Sequence, residues 1–292
     1  MTKSKYLVII LLMVAFIGAG AVFARRYSNR GYSERRGVPN WTPNREFSHD
    51  IFTFVRIQYS TGYGGGEYGG GRGGGRGGRG RGGGSWATDY PDSDLNFSFR
   101  LHQLTSMEVD PEGVVLELTD PELVNYPFIY IVEPGRLVFS EEERKCLSRY
   151  LLNGGFLMVD DFWGQDEWDN FYYEIKQVFP DREPVEVMLG DKSKIFQIPY
   201  ELKERPQIPS IDQALYGRSS GITWEDHGPG SQTPHFRAIY DNNGRMMAFI
   251  CHNTDLGDGW EREGENEWYF HEFSEKKAYP LGINIVFYAM TH

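Results

Sequence analysis

The chain has 292 residues, with 30 lysine and arginine side chains against 41 aspartates and glutamates, and only two cysteines. That length supports an ample core in one large domain, and the acidic balance disfavours nucleic acid or anionic lipid as a ligand, since both need a positive field. Two cysteines without metal-type spacing exclude a thiolate metal cluster and leave room for one disulfide at most.

In chain order, Lys3 and Lys5 precede an apolar run from Tyr6 to Val22, and Val22-Phe23-Ala24 precedes Arg25-Arg26. This is a secretory signal pattern over residues 1–24, and the run nearly reaches the length of an uncleaved anchor. On either reading the protein is exported, periplasmic or cell-envelope associated, with membrane contact only through this segment. Residues 25–48 are basic and aperiodic and read as a flexible leader. The domain proper is expected over 49–292. Its first strand is the alternating stretch Ile51 to Tyr59, followed by the glycine–arginine segment 62–84, a loop in isolation.

A helix follows, with Asp92 or Ser93 as its cap and Leu95, Phe99 and Leu101 or His102 toward the core. Met107 to Leu118 reads as a strand or a tight hairpin around Pro111-Glu112-Gly113. Pro127 to Val132 is a fully apolar strand. Ser140 and Glu143 form a capping box that opens a helix ending at Asn153-Gly154-Gly155. On that helix Cys146 sits among Leu147, Tyr150 and Leu151, which favours a buried free thiol over a disulfide with Cys251. Phe156 to Val159 is a buried strand running into Asp160 and Asp161, and a helix continues through Val178. A strand is expected at Val185–Leu189, and a β-hairpin over His235–Cys251 around Asn242-Asn243-Gly244. Glu265 to Met290 reads as a helical region bent or broken by Pro280. Alternating strands and helices with short links predict an α/β fold: an open, mostly parallel, doubly wound sheet of flavodoxin-like type with an added β-hairpin. In such sheets ligands bind beyond the carboxyl ends of the strands, where the Asp160-Asp161 elbow falls.

Trp86-Ala-Thr-Asp-Tyr-Pro-Asp92, Val132-Glu-Pro-Gly135, Asn153 to Gly164 and Cys251-His-Asn-Thr-Asp-Leu-Gly-Asp-Gly-Trp260 closely resemble the bacterial family catalogued as domain of unknown function 4159. Tyr269 to Ser274 and Gly282 to Ala289 match it as well. More distantly, the order of elements resembles the class I glutamine amidotransferase-like fold, including trehalose-utilisation-type relatives. That resemblance implies that Val132–Gly135 falls at the oxyanion loop and Asp160 or Asp161 at the position of the catalytic cysteine. Two carboxylates there would repel an oxyanion, so thiol-based amidotransferase chemistry is not expected.

The candidate residues group on one rim. Asp160 and Asp161 can bind a divalent cation, with His252, Asp255 or Asp258 as further ligands; otherwise one aspartate caps the next helix and the other meets solvent or an arginine. The cluster His252, Asn253, Asp255, Asp258 and Trp260 follows an apolar strand and reads as a ligand loop or as a structured turn. Trp163, Trp168, Trp260 and Trp268 flank these polar groups, either as sugar-stacking platforms or as ordinary packing. Glu261, Glu263, Glu265 and Glu267 read as a solvated acidic run. Arg72, Arg76, Arg79 and Arg81 are candidates for a lid over the acidic rim. The expected function is a non-enzymatic module that binds a small hydroxylated or cationic ligand or an envelope protein, with no cofactor beyond a divalent cation. The rival is a hydrolase using Asp160, Asp161 and His252, with or without a metal.

Overall fold

Residues 37–44, 46, 50–62 and 85–292 are described by the structure, a computed structural model. The expectations for residues 1–24, most of 25–48 and the arginines of 62–84 lie outside these residues. Among the described residues no helix is long and apolar enough to cross a membrane.

The centre is a seven-stranded sheet built from β1 (Val55–Ile57), β3 (Val114–Leu116), β4 (Phe128–Val132), β6 (Phe156–Asp160), β7 (Val185–Glu186), β8 (His235–Tyr240) and β9 (Met246–His252). Their order is β3-β1-β4-β6-β9-β8-β7. The first five are mutually parallel, and β8 and β7 close one edge antiparallel. A separate ribbon pairs β2 (Ser60–Thr61) with β5 (Leu137–Val138). The expected α/β architecture, mostly parallel with an added hairpin, is therefore observed. The hairpin is more than an appendage, because its second strand pairs with β6 in the middle of the sheet.

Alternation along the strands divides the core into two layers. Phe54, Phe128, Tyr130, Phe156, Met158, Phe249 and Cys251 face one side. That side is covered by α1 (Asp92–Leu104), α5 (Leu256–Glu261) and the C-terminal helical region. Val55, Ile57, Ile129, Ile131, Leu157, Val159 and Ile250 face the other, beneath α2 (Glu141–Leu152) and α3 (Gly164–Val178). A short α4 (Ile211–Gly217) lies in the irregular stretch between β7 and β8. The capping box at Ser140 and Glu143 forms as expected. Cys146 and Cys251 are both free; Cys251 is buried, while Cys146 is only half-buried.

Four local expectations change. The helix expected to be capped by Asp92 or Ser93 has Pro91 at its cap with no side-chain hydrogen bond. Ser93 and Asp94 instead turn inward to a buried arginine, Arg56. Met107–Leu118 is not a hairpin: Val109 bridges Phe52 and β3 pairs with β1, both in parallel, with a left-handed Gly113 between them. The strand expected over Val185–Leu189 is confined to Val185–Glu186. Pro280 does not break the last helix. Glu267–Tyr269 runs into a π-helical stretch, Phe270–Ala278, and on into α6 (Tyr279–Thr291), with Pro280 in the first turn of α6, where a missing N–H is tolerated.

Candidate functional site

The carboxyl ends of β4, β6 and β9 meet at one rim, and the backbone there is unusual. Asp89, Glu133, Asp161 and Asn253 all have left-handed φ, between 45° and 62°. Aspartate and asparagine tolerate that region better than most residues, and such outliers concentrate where a fold positions functional groups.

Asp160 ends β6 fully buried. Its Oδ2 accepts the backbone N–H groups of Leu256 (2.9 Å) and Gly257 (3.0 Å) and the Tyr130 hydroxyl (3.2 Å). Burial pushes its carboxyl up to about 7, against the pull of these donors. The residue thus ties β6 and β4 to the loop that starts α5. Asp161 follows with φ 56°, its N–H on the Thr254 carbonyl and one carboxylate oxygen accepting the Trp163 indole N–H at 3.0 Å.

Neither aspartate caps α3. That helix start is held from across the sheet by Asn253, whose Oδ1 accepts the Gly164 N–H (2.8 Å) while its amide donates to the carbonyls of Gly230 and Thr233. Gly164 is left-handed, and a Cβ there would approach the His227 carbonyl to 2.9 Å. His227 itself sits between Glu167 (3.1 Å) and Glu225 (3.7 Å), which raise its pKa to about 10 and clamp the 225–231 segment onto α3.

Asp255 caps α5 by accepting the Asp258 N–H at 2.7 Å. Asp258 accepts the Ile211 N–H at 2.6 Å and the Arg262 Nε at 3.2 Å. Asp89, just before α1, reaches into the same region. A Cβ on Gly257 would lie 2.6 Å from Asp89 Oδ2 and 3.4 Å from Asp255 Oδ1, so glycine is what allows the two carboxylates to approach α5.

Two carboxylate trios result, each offering oxygens within 4.8 Å of one another: Asp89, Asp161 and Asp255, and Asp89, Asp258 and Glu261. Burial and neighbouring carboxylates raise Asp89, Asp161 and Asp255 well above the usual range, with Arg56 pulling only on Asp89 among their main influences.

His252 joins neither trio. Its Nε2 contacts the Gly164 carbonyl at 3.0 Å, its ring packs on Phe162 and Trp168, and Arg237 lies 3.2 Å from Nδ1. Burial lowers its pKa to about 3, so it is a neutral packing residue on the opposite layer from Cys251. The tryptophans do not form sugar platforms among the described residues. Trp163 and Trp260 are buried, the Arg237 guanidinium covers Trp168 at 3.8 Å, and Arg218 covers Trp268 at 4.3 Å.

The acidic run is only partly solvated. Glu261 is half-buried with its pKa pushed to about 7, and Glu263 pairs with Arg100 and Tyr279. Of the residues read from sequence, Asp161, Asp255, Asp258 and, against its reading as solvated, Glu261 contribute to the trios, Asp160 and Asn253 brace them, and Trp163 touches Asp161. Asp89, Gly257, Tyr130 and Arg56 carry no such local signal: Asp89, within Trp86–Asp92, is indistinguishable in sequence from a turn aspartate.

A family model described as "Domain of unknown function (DUF4159)" matches residues 76–290. No curated protein matches the chain.

Proposed function

This chain belongs to the DUF4159 family, and on that premise we propose that it is an exported, non-enzymatic ligand-binding module built on an amidotransferase-like α/β scaffold. The observation that carries the reading is the state of the elbow after β6. Asp161 occupies the strained turn where a nucleophile would stand, and its carboxylate is engaged by Trp163. The thiol of Cys251 is fully buried, and burial pushes its pKa well above the ordinary range, so it supplies no thiolate.

The hydrolase alternative lacks a placed base, because His252 is packed away from the carboxylates, its Nε2 is held at the Gly164 carbonyl, and burial makes the ring a poor proton acceptor. The order of parallel strands around β4, β6 and β9 supports the amidotransferase-like relationship. The residue 1–24 pattern supports export, and with it a place at the envelope. With the aromatic faces buried or covered, the rim offers carboxylate oxygens rather than stacking surfaces, which favours a compact polar or cationic ligand over a sugar.

The test pairs turnover with binding. Purified protein is expected to release no ammonia from glutamine and to hydrolyse neither p-nitrophenyl esters nor phosphates. A thermal-shift screen of cations, amines and polyols is expected to find saturable stabilisation that Asp161→Ala removes. Turnover that persists in Cys251→Ser and disappears in Asp161→Ala would replace this reading with the hydrolase.

A further inference from the structure

The two trios share Asp89 and differ in one decisive respect. In the trio of Asp89, Asp258 and Glu261, the Arg262 guanidinium lies 3.2 Å from Asp258 and 2.6 Å from Glu261. A fixed cation therefore already serves two of its three carboxylates. In the trio of Asp89, Asp161 and Asp255, the strongest charge influences on Asp161 and Asp255 are other carboxylates.

The hydrogen bonding points the same way. Asp161 is 8% exposed and Asp255 5%. Asp161 uses one oxygen on Trp163, and among the described residues its other oxygen accepts no hydrogen bond. Asp89 Oδ2 is sealed from solvent and without a hydrogen-bond partner. Asp160 Oδ1, in the neighbouring residue, is fully buried and also without a partner, and the Asp160 carboxylate acts electrostatically on Asp161 and Asp255. Buried polar atoms are nearly always satisfied, and like carboxylates brought together repel; Arg56 offsets this at Asp89 but is not among the main influences on Asp161 or Asp255. Three carboxylates drawn within 4.8 Å of one another, with unpartnered oxygens on Asp89 and Asp161, suit a positively charged occupant.

We propose that Asp89, Asp161 and Asp255 form a binding site for one calcium-class divalent cation. This rests on the binding-module reading above and names its ligand. The ligand set is all oxygen, which suits a hard cation rather than zinc or copper. Calcium is preferred over magnesium on the donor set: three carboxylates supply the oxygen-rich shell that calcium takes, whereas magnesium dehydrates reluctantly and keeps several waters. Oxygens within 4.8 Å of one another lie inside the span that two ligands of one calcium ion can reach, about 4.6–5.2 Å. Gly257 keeps the space beside Asp89 and Asp255 open, and Asp160 fixes the start of α5 from behind.

Trp163 provides a direct probe, since its indole is hydrogen-bonded to one of the three ligands. Terbium titrated into the full-length protein, with excitation of tryptophan, is expected to give saturable sensitised emission at one ion per chain. Calcium chloride should compete at concentrations at least tenfold below those of magnesium chloride. Asp89→Asn and Asp161→Asn should each weaken terbium binding at least tenfold, while Asp181→Asn, an exposed acid at the end of α3, should not. Without metal, both Asn variants should melt at or above the wild-type temperature, because each removes one of the mutually repelling carboxylates. That readout separates lost ligation from lost folding.

Absence of saturable emission at millimolar terbium, or emission unchanged in both Asn variants, overturns the site. Should either variant unfold, calorimetric titration of the wild type with calcium decides instead, and no saturable heat overturns it. A silent turnover screen combined with no cation binding removes this inference and leaves the binding-module reading. Turnover combined with cation binding does the reverse.

Discussion

Replacing Arg56 with alanine is expected to lower the unfolding free energy by about 3–5 kcal/mol, the usual cost of stripping one partner from a buried ion pair. Arg56 is fully buried on β1, and all of its donors are used. Nε bonds Asp94 Oδ2 at 3.0 Å, one terminal nitrogen bonds Ser93 (2.9 Å) and Asp94 (2.5 Å), and the other bonds the carbonyls of Trp86 (3.1 Å) and Thr88 (2.9 Å). Its guanidinium also lies over the Tyr130 ring. Alanine leaves Asp94 charged and buried, two carbonyls without donors, and a cavity between β1 and α1. Lysine is expected to rescue little, because a point charge cannot reproduce this fork. The double variant Arg56→Met with Asp94→Leu should recover more than half of the loss, since a buried pair replaced by apolar groups removes its own desolvation cost. Urea or guanidinium unfolding measures each, and a loss below about 1 kcal/mol for Arg56→Ala would contradict the account. The variant should also weaken terbium binding, because the Trp86 and Thr88 carbonyls that Arg56 holds place Asp89.

The second large effect is on pH. Most domains gain stability as their carboxylates ionise; the metal-free form of this one is expected to lose several kcal/mol between pH 5.5 and 8.5. Asp160 has a folded pKa near 7, above the ~3.9 of an unfolded chain. Its contribution is therefore fully present below about pH 4 and is lost as pH rises through 7. At about 1.4 kcal/mol per pKa unit, this one group is worth on the order of a few kcal/mol. Glu261 acts with the same sign, and so do Asp89, Asp161 and Asp255. His227, raised to about 10, also contributes stability below its unfolded pKa that is lost toward pH 10. Its partial exposure makes that effect small.

His252 opposes them. Lowered to about 3, it favours folding above about pH 6.5 and loses that contribution as pH falls, about 1.4 kcal/mol across the single unit down to 5.5. The carboxylates outnumber it. Denaturant unfolding in chelator at pH 5.5, 7 and 8.5 tests the sum, and Asp160→Asn should flatten the profile while keeping an acceptor for the Leu256 and Gly257 amides. Stability that is flat or rising toward pH 8.5 would refute it. Calcium at pH 8.5 should restore most of the difference if the cation site is correct.

What the sequence disclosed follows the range of the forces involved. The apolar runs at 128–132 and 156–159, the capping box at Ser140 and the Asn242–Gly244 turn are local signals, and each produced the element expected. Strand alternation also sets Cys251 and His252 on opposite faces of β9, Cys251 in the Phe249 layer and His252 against Phe162 and Trp168. The site itself is non-local. Asp89 and Asp161 meet across 72 positions of sequence, and their approach depends on Gly257 having no side chain and on Arg56 holding the carbonyls before Asp89. Ser93 suits a cap by residue type, as Asp92 does, but a buried arginine 37 residues upstream claims it, together with Asp94 next to it. The tryptophans leave both readings open in sequence for a related reason, since composition does not reveal which ring faces are covered by arginine.

The π-helical stretch ahead of α6 has a consequence for how the chain tolerates changes in length. Its i to i+5 bonding, seen where the Tyr279 N–H meets the Ser274 carbonyl, holds more residues per turn than an α-helix. That surplus is a length reserve. Losing one residue between 270 and 278 can be absorbed by tightening toward an ordinary α-turn, with the downstream rotational phase retained. The same loss after Tyr279 turns everything beyond it by about 100°. Asn284 would then swing away from Ile195 and Tyr200, whose backbone it holds through three hydrogen bonds. The wide turn thus sets where the last third of the fold accepts an indel and where it does not.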